Sequence, residues 1–197
     1  MEFLFATGNA HKVSEASAIM SHFGHIVLQL KIDGKPPEFI EPQTEGIKEV
    51  ALSKAKQARE LVKGTDNEES AILVEDSGIF IESLGGFPGP YSSFVEETIG
   101  LRGILDLLQK KENRRAEYRA VAVVSLPEKT MITEGKCPGI ISEEILGDKG
   151  FGYDPIFIPN EGDGRTCGEL LPDEKSAISH RGRALKALSE LLNSPSK

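Results

Sequence analysis

Apolar residues along this chain follow two periods. Where they recur every three or four positions, as Val13, Ala16, Ile19, Met20 and Phe23 do, they predict an amphipathic helix. Short runs rich in apolar and β-branched residues predict strands. The predicted helices cover about residues 11–23, 45–64, 101–110 and 181–193. The predicted strands cover 1–6, 26–30, 71–74 with an extension to 80, 116–126, 131–137 and 140–144.

Glycine and proline mark the irregular segments between these elements. Residues 34–44 contain three prolines, and 85–91 are too rich in glycine and proline for regular structure. Residues 151–158 form an apolar stretch entered through glycine, 160–168 are a loop, and 194–197 are expected to fray. Strands and helices alternate early, while the middle is rich in strands. The sequence therefore predicts an α/β protein with a mixed sheet and two lobes around a cleft.

Composition narrows the class of protein. With 197 residues, 39% of them hydrophobic and 27% charged, the chain is expected to form a single domain, 1–197, with one sizeable core. A net charge of -8 argues against binding to long nucleic acids, which needs a basic face. The absence of a long apolar run or a signal-peptide pattern predicts no membrane association and a cytoplasmic location. Cys137 and Cys167 are interpreted as reduced thiols.

The apolar run Ala71-Ile72-Leu73-Val74 leads directly into Glu75-Asp76-Ser77-Gly78. This pattern predicts a buried strand whose C-terminal end delivers two carboxylates to a cleft. Because a desolvated carboxylate is costly, a metal ion is one way to hold such a pair. A surface turn capped by Asp76 or Ser77 is an equally good interpretation of this segment alone.

Two further segments carry candidate binding chemistry. Thr7-Gly8-Asn9-Ala10-His11-Lys12 joins a strand to a helix, where free N–H groups and the helix dipole favour phosphate. Plain helix capping by the same residues is the alternative. Phe151-Gly152-Tyr153-Asp154-Pro155 offers two aromatic rings and an acid for a nucleobase, although both rings are also typical of a strand core.

The segment from Lys175 to Gly182 precedes the last predicted helix, which Ser179 can cap. Lys175, His180 and Arg181 place cationic or titratable groups at a helix N-terminus, where the dipole disfavours positive charge. We therefore expect them to meet a ligand. Packing demands at a helix entrance are expected to be light, so alanine variants of His180 and Arg181 should lose selectivity without losing the fold. The spaced pair His22 and His25 is interpreted as surface.

Taken in order, five motifs resemble the inosine triphosphate pyrophosphatase family, which hydrolyses non-canonical purine nucleoside triphosphates. The resemblance covers nearly the whole chain, and the ordered set is specific. The motifs are Thr7-Gly8-Asn9-x-x-Lys12, Glu75-Asp76-Ser77-Gly78, Gly85-Gly86-x-Pro88-Gly89-x-Tyr91, Phe151-Gly152-Tyr153-Asp154-Pro155 and Lys175-Ser176-Ala177-Ile178-Ser179-His180-Arg181-Gly182.

The resemblance implies an elongated mixed sheet, a homodimer and Mg²⁺-dependent hydrolysis of ITP, dITP and XTP to the monophosphate and pyrophosphate. It implies that Asp76 is the catalytic base and a metal ligand, with Ser77 on the substrate. Glu41 matches the family's second metal ligand, but the spacing to the next helix is about one residue longer here, so Glu45 competes with it and Glu75 is a weaker candidate. The implied phosphate-binding residues are Thr7, Gly8, Asn9, Ala10, His11, Lys12 and Lys54, and the implied base-pocket residues are Phe151, Gly152, Tyr153, Asp154, Lys175, His180 and Arg181.

Two other functions compete with this one. The related Maf-like nucleotide pyrophosphatases prefer pyrimidine or modified nucleotides, but their opening motif has Ser-x-Ser and an arginine where this chain has Thr7-Gly8-Asn9 and Lys12. A nucleotide sensor would bind a triphosphate without hydrolysing it. Such a binder gains nothing from a water-activating acid such as Asp76.

Overall fold

A computed structural model of the chain describes residues 1–194. The predicted frayed end, 194–197, lies outside this range except for Ser194. The helices are α1 (Ala10–Ser21), α2 (Ile47–Val62), α3 (Ser92–Leu107), α4 (Pro172–Ile178) and α5 (His180–Asn193). The strands are β1 (Glu2–Phe5), β2 (Ile26–Gln29), β3 (Ala71–Ile81), β4 (Pro88–Gly89), β5 (Arg115–Ser125), β6 (Thr130–Ile141) and β7 (Phe157–Pro159).

All seven strands belong to one mixed sheet of order β2-β1-β3-β5-β6-β7, with β4 added beside β3. Strands β1, β2 and β3 are parallel, whereas β3, β5, β6 and β7 pair antiparallel. The predicted α/β class with a mixed sheet and flanking helices is therefore confirmed. The division into two lobes and the single-domain assignment stay predictions.

The extent of strand β3 contradicts the prediction that the acidic pair lies at the C-terminal end of a strand. Glu75 and Asp76 do not follow the strand; they lie in its middle, opposite Ala122 and Val121 of β5. The strand continues because β5 pairs with it along ten positions, from Ile72 to Ile81. Since neighbouring side chains on a strand point to opposite faces, the two carboxylates face different layers of the protein.

The two faces of the sheet carry different helices. On one face, Leu73 packs in a core with residues of α1 and α5, such as Met20 and Leu185. On the other face, Ile72 and Val74 pack with the small residues of α2. By strand alternation, Glu75 faces α1 and α5, and Asp76 faces α2.

Glycine explains how the chain turns beside the acidic pair. A Cβ on Gly78 would lie 2.1 Å from the carbonyl oxygen of Gly89, so only glycine lets β4 approach β3 here. The segment 85–91, predicted as irregular, thus contains a two-residue strand. Helix α3 begins nine residues earlier than predicted, and it kinks at Gly100, whose φ of 64° is left-handed.

Three other predictions need correction. Strand β6 runs unbroken through Pro138, where two strands were predicted, because it pairs with the whole of β5. Helix α4 was not predicted, although Pro172 in its first turn and Glu174, whose carboxylate accepts from the Leu171 N–H, are ordinary start signals. His25 is buried against Phe3 rather than exposed.

Among residues 1–194, no helix is both long and apolar enough to span a bilayer. Cys137 and Cys167 are free thiols, as predicted, and both are buried. Burial raises the pKa of the Cys137 thiol to about 11, so this thiol is protonated and unreactive at neutral pH.

Candidate active site

A cleft of about 330 Å³ gathers most of the predicted site residues. It includes both faces of β3 at the acidic pair and the ends of several loops. Three predicted residues lie elsewhere: Ala10 and His11 are outside the cleft lining, and Glu45 lines a different cavity of about 910 Å³. The predicted residues that line the cleft are Thr7, Gly8, Asn9, Lys12, Glu41, Lys54, Glu75, Asp76, Ser77, Phe151, Gly152, Tyr153, Asp154, Lys175, His180 and Arg181.

The loop before α1 is organised by its own side chains. Asn9 Oδ1 accepts hydrogen bonds from the N–H groups of His11 (2.9 Å) and Lys12 (3.2 Å), so it caps α1. Thr7 Oγ1 accepts from the Asn9 N–H at 3.2 Å. The capping interpretation is thus correct, and it fixes the direction of the helix N-terminus that faces the cleft. Lys12 leaves this turn towards β3 and donates to the Glu75 carbonyl oxygen at 3.3 Å.

Glu75 is a buried, ionised anchor. Its Oε2 lies 3.0 Å from Lys12 Nζ and 3.3 Å from Arg181 Nε, and its side chain is 0% exposed. Burial alone would raise its pKa, but the charges of Arg181 and Lys12 outweigh burial and lower the pKa well below its usual range. Neither contact through the carboxylate has hydrogen-bond alignment, and within residues 1–194 Oε1 has no partner. The anchor therefore retains capacity to accept a hydrogen bond.

Asp76, the next residue, has a different environment. Its Oδ2 lies 3.2 Å from Lys54 Nζ on α2, and its side chain is 14% exposed to the cleft. Burial raises the pKa of this carboxyl, and the charges of Lys12 and Lys54 only partly oppose that rise. A carboxylate with a raised pKa that still reaches solvent is suited to accept a proton.

Lys54 joins Asp76 to Glu41, whose Oε1 lies 2.7 Å from Lys54 Nζ. Burial lowers the pKa of Lys54, but the charges of Asp76 and Glu41 raise it above its ordinary value. The carboxylates of Asp76 and Glu41 therefore both contact the ammonium group of Lys54. Within residues 1–194, no three acidic, histidine or cysteine side chains form a ready metal cage. Mg²⁺ commonly takes one or two carboxylates and completes its shell with substrate phosphates, so this pair fits that ion.

At the opposite end, the cleft is bordered by a chain of buried ion pairs. Lys175 Nζ lies 2.6 Å from both Asp154 Oδ2 and Glu15 Oε1. Arg181 donates to Glu15 Oε2 and, at 3.1 Å, to Ser77 Oγ. Burial lowers the pKa of Lys175, but Asp154 and Glu15 raise it above its usual value, which keeps it charged. These pairs hold two cations at fixed positions beside the substrate space.

The packing around α5 contradicts the expectation of light demands at its entrance. Arg181 is 1% and His180 5% exposed, although Ser179 caps the helix as predicted, accepting from the Gly182 N–H at 3.0 Å. The His180 ring stacks on Tyr118, with centroids 4.4 Å apart. Burial, followed by the charge of Arg181, lowers the pKa of His180 well below its ordinary value. His180 is therefore a neutral donor and acceptor at pH 7.

The two aromatic residues of the third motif have different positions. Tyr153 is buried in the core and donates from its hydroxyl to the Ser92 carbonyl oxygen at 2.7 Å, so the strand-core alternative holds for its ring. Phe151 is half-buried, and its ring centroid lies 5.0 Å from Lys175 Nζ and 5.3 Å from Arg181 Cζ. Phe151 is thus the aromatic ring placed to meet a planar ligand.

Comparisons with known proteins identify the family of this chain. The sequence profile described as the Ham1 family matches residues 3–191. This chain belongs to the Ham1 family. A protein named dITP/XTP pyrophosphatase from Methanopyrus kandleri is 44% identical over 191 residues, covering 96% of this chain and 95% of that protein. A protein of the same name from Pyrococcus horikoshii is 43% identical, covering 98% of this chain and 97% of its own length.

Solved Ham1 structures share the fold. The Ham1 protein of Coxiella burnetii superposes with a TM-score of 0.80 at 30% identity, covering 98% of each chain. A nucleoside-triphosphatase, also titled dITP/XTP pyrophosphatase, from Mycobacterium abscessus gives 0.69 at 34% identity, covering 95% of this chain and 98% of that one. The predicted resemblance to the inosine triphosphate pyrophosphatase family is confirmed.

Sequence reasoning missed three residues of this Ham1 site. Glu15 joins Lys175 to Arg181, Tyr118 supports His180, and Glu96 of α3 lines the cleft. The sequence contained a signal for Glu15. It follows Lys12 by three positions, so the two residues share one face of α1. Tyr118 and Glu96 had none, since β5 reaches the cleft by pairing with β3 and the local sequence does not show which residues of α3 line it.

Proposed function

We propose that this chain is a Mg²⁺-dependent nucleoside-triphosphate pyrophosphatase that hydrolyses ITP, dITP and XTP to the monophosphate and pyrophosphate. The observation that carries the proposal is the position of Asp76. It is a carboxyl of raised pKa, in contact with a lysine, between a helix N-terminus on one side and a buried set of fixed donors on the other. The names of the relatives support the same activity.

The phosphate end of the cleft contains two lysines and a helix N-terminus. The capped N-terminus of α1, with Lys12 and Lys54, attracts a triphosphate and holds its oxygens. Glu41 and Asp76 would hold Mg²⁺, which when bound neutralises phosphate charge during attack on the α-phosphorus. Asp76 orients the attacking water and takes its proton, because its raised pKa makes it the more basic acid of the pair on β3.

The base end selects the purine through its hydrogen-bond donors. Inosine and xanthine carry a keto oxygen where adenine carries an amino group. Lys175 and Arg181 present donors held by Glu15 and Asp154, and neutral His180 adds a ring N–H. An adenine amino group would leave such donors unpaired, a mismatch that discriminates by about 10⁴ or more. Rejection of GTP depends on its 2-amino group, which these donors do not read.

We expect a cytoplasmic homodimer that acts on free nucleotides to remove deaminated purines from the pool. A net charge of -8 favours small phosphorylated substrates over nucleic-acid polymers, because binding a long nucleic acid needs a basic face.

The test is to incubate the pure protein with Mg²⁺ and single nucleotides, and to measure release of pyrophosphate. ITP, dITP and XTP should be hydrolysed far faster than ATP and GTP, and omission of Mg²⁺ should abolish release. Faster hydrolysis of pyrimidine nucleotides would favour the Maf-like function. Binding of dITP without any pyrophosphate would favour a sensor, and either result would overturn the proposal.

A further inference from the structure

His11 has a contact that a role in phosphate binding does not explain. Its ring stacks on Phe151, with centroids 5.3 Å apart and planes inclined by 19°. This is the offset-stacked geometry that aromatic pairs favour. Among residues 1–194, His11 is the only residue whose ring stacks on Phe151. The pair brings the phosphate loop into direct contact with the base end of the site.

The two rings differ in how firmly they are held. Phe151 is half-buried, and its N–H donates to Asp154 Oδ2 at 2.9 Å, which fixes its backbone. His11 is exposed, and in the described part of the chain only its backbone N–H, not its ring, makes a hydrogen bond. The Phe151 ring is thus the fixed surface, and the His11 ring can rotate away at little cost.

The pair also stands between two cavities. Phe151 and Lys175 line the main cleft and also a neighbouring cavity of about 300 Å³, and His11 lines only the second one. A purine whose keto oxygen is read by Lys175 and Arg181 must lie against Phe151, because both cations lie within 5.3 Å of that ring centroid. The planar surface available to it there includes the face that His11 covers.

We infer that His11 is a stacking residue for the nucleobase: the purine enters between the two rings and lies with Phe151 on one face and His11 on the other. This inference rests on the proposed function for the identity of the base. It assigns His11 to the base, whereas its place in the loop suggested a phosphate contact. One short segment, from Thr7 to Lys12, would then contact both the phosphates and the base of the substrate.

Substitutions at His11 separate stacking from charge. His11→Ala removes the ring, His11→Phe keeps a flat aromatic face, and His11→Lys supplies a cation without a face. The helix cap survives each change, because it uses the backbone N–H of residue 11. The matched control is His22→Ala, which alters an exposed histidine that lines the same second cavity at the far end of α1.

Stacking predicts a defined pattern with dITP. His11→Ala and His11→Lys should raise KM by about fivefold to thirtyfold, the scale of one base–aromatic contact, with kcat within about twofold of wild type. His11→Phe and His22→Ala should keep KM within about twofold. Inorganic triphosphate, which has no base, should inhibit all variants equally. Retention of KM by His11→Lys with loss by His11→Phe, or weaker inhibition by triphosphate in His11→Ala, would assign His11 to phosphate and overturn the inference.

A binding measurement keeps this test independent of turnover. Calorimetry with IMP should show that His11→Ala binds more weakly by the same factor, while His11→Phe binds like the wild type. If the wild type released no pyrophosphate yet IMP binding followed this pattern, the proposed function would fail and the stacking role would stand. Normal turnover with an unchanged KM and IMP affinity in His11→Ala would remove the stacking role alone. No pyrophosphate release together with no IMP binding by the wild type would overturn both.

Discussion

The two faces of strand β3 place their acidic residues in environments that shift the carboxyl pKa in opposite directions. On the face towards α1 and α5, Glu75 is fully buried between Lys12 and Arg181, and its pKa is lowered well below its usual range. On the face towards α2, Asp76 reaches the cleft, contacts Lys54, accepts a hydrogen bond from the Ser77 N–H, and has a raised pKa. Two consecutive carboxylates therefore have different tasks, because a strand sends them to different environments.

The difference separates groups that hold the site from groups that react in it. The buried face pairs every cation with at least one acid, so its donors keep their positions before substrate arrives. The charges on the α2 face are not balanced. Asp76 and Glu41 share one lysine, so two negative charges lie beside one positive charge. That remaining negative charge is what a divalent cation neutralises.

The largest expected effect is on Asp76. Asp76→Asn keeps the size of the side chain and removes its basicity, so kcat should fall by about 10²- to 10⁴-fold. The melting temperature should change little, because burial already disfavours the charge that is removed. Pyrophosphate release and thermal unfolding, measured on the same preparation, check both statements. Retention of more than about a tenth of wild-type kcat would exclude Asp76 as the base.

The matched change on the other face is Glu75→Gln, and its main effect should be on stability. Removing the charge leaves Lys12 without its buried counter-ion and Arg181 with Glu15 alone, which should lower the free energy of unfolding by about 3 kcal/mol. Urea denaturation gives this value directly. If Glu75→Gln unfolded like the wild type while Asp76→Asn was strongly destabilised, the assignment of the two faces would be reversed.

The full extent of β3 was harder to predict from the sequence than the residues that line the cleft. The five motifs named most of the residues that line the cleft, because the chemistry of each motif is local. The regular strand was predicted over 71–74, with only an extended continuation to 80, since acids and a glycine usually mark a turn. In fact β3 continues to Ile81, because β5 pairs with it and Gly78 admits Gly89. Such pairing joins residues 35 to 53 positions apart, from Ile81 with Ala116 to Ile72 with Ser125, and no local pattern records it.

The same limit explains the error at α5. His180 and Arg181 were expected at an exposed helix entrance, because a helix start is usually near the surface. The stack on Tyr118 and the pairs with Glu75 and Glu15 bury them instead. Alanine variants of Arg181 should therefore lose stability together with activity. Selectivity is better tested by Glu15 or His11, whose side chains are more exposed.

A smaller effect is expected at the second metal acid. Glu41→Gln should raise the Mg²⁺ concentration for half-maximal activity by about tenfold, since Glu41 lies 2.7 Å from the lysine it shares with Asp76. Glu45→Gln is the matched control, because Glu45 lines a different cavity and not the cleft. Titrating Mg²⁺ at saturating dITP compares the two variants. A larger shift for Glu45→Gln would show that the loop before α2 has been aligned wrongly.

The smallest expected effect is the pH dependence of stability that His180 contributes to the buried face. Burial and the nearby charge of Arg181 lower its folded pKa, while Glu75 opposes them and Lys175 and Lys12 add to them. Below the ordinary histidine pKa of about 6.5, the unfolded chain gains a proton that the folded chain does not, so stability falls as pH falls. Between pH 7.5 and 5.5 this amounts to about 1.4 kcal/mol.

The neighbouring carboxyls do not mimic this signal. The lowered pKa values of Glu75 and Glu15 also cost stability as pH falls, but only below the ordinary glutamate range. Asp76 and Asp154, whose pKa values are raised, have the opposite sign, because the folded state takes up their protons first. His180→Gln, which keeps a polar group without a titrating ring, should therefore show a smaller loss of unfolding free energy between pH 7.5 and 5.5 than the wild type. An equal loss would mean that His180 is protonated in the folded protein, and that the α1 and α5 face tolerates one more charge than its pairing indicates.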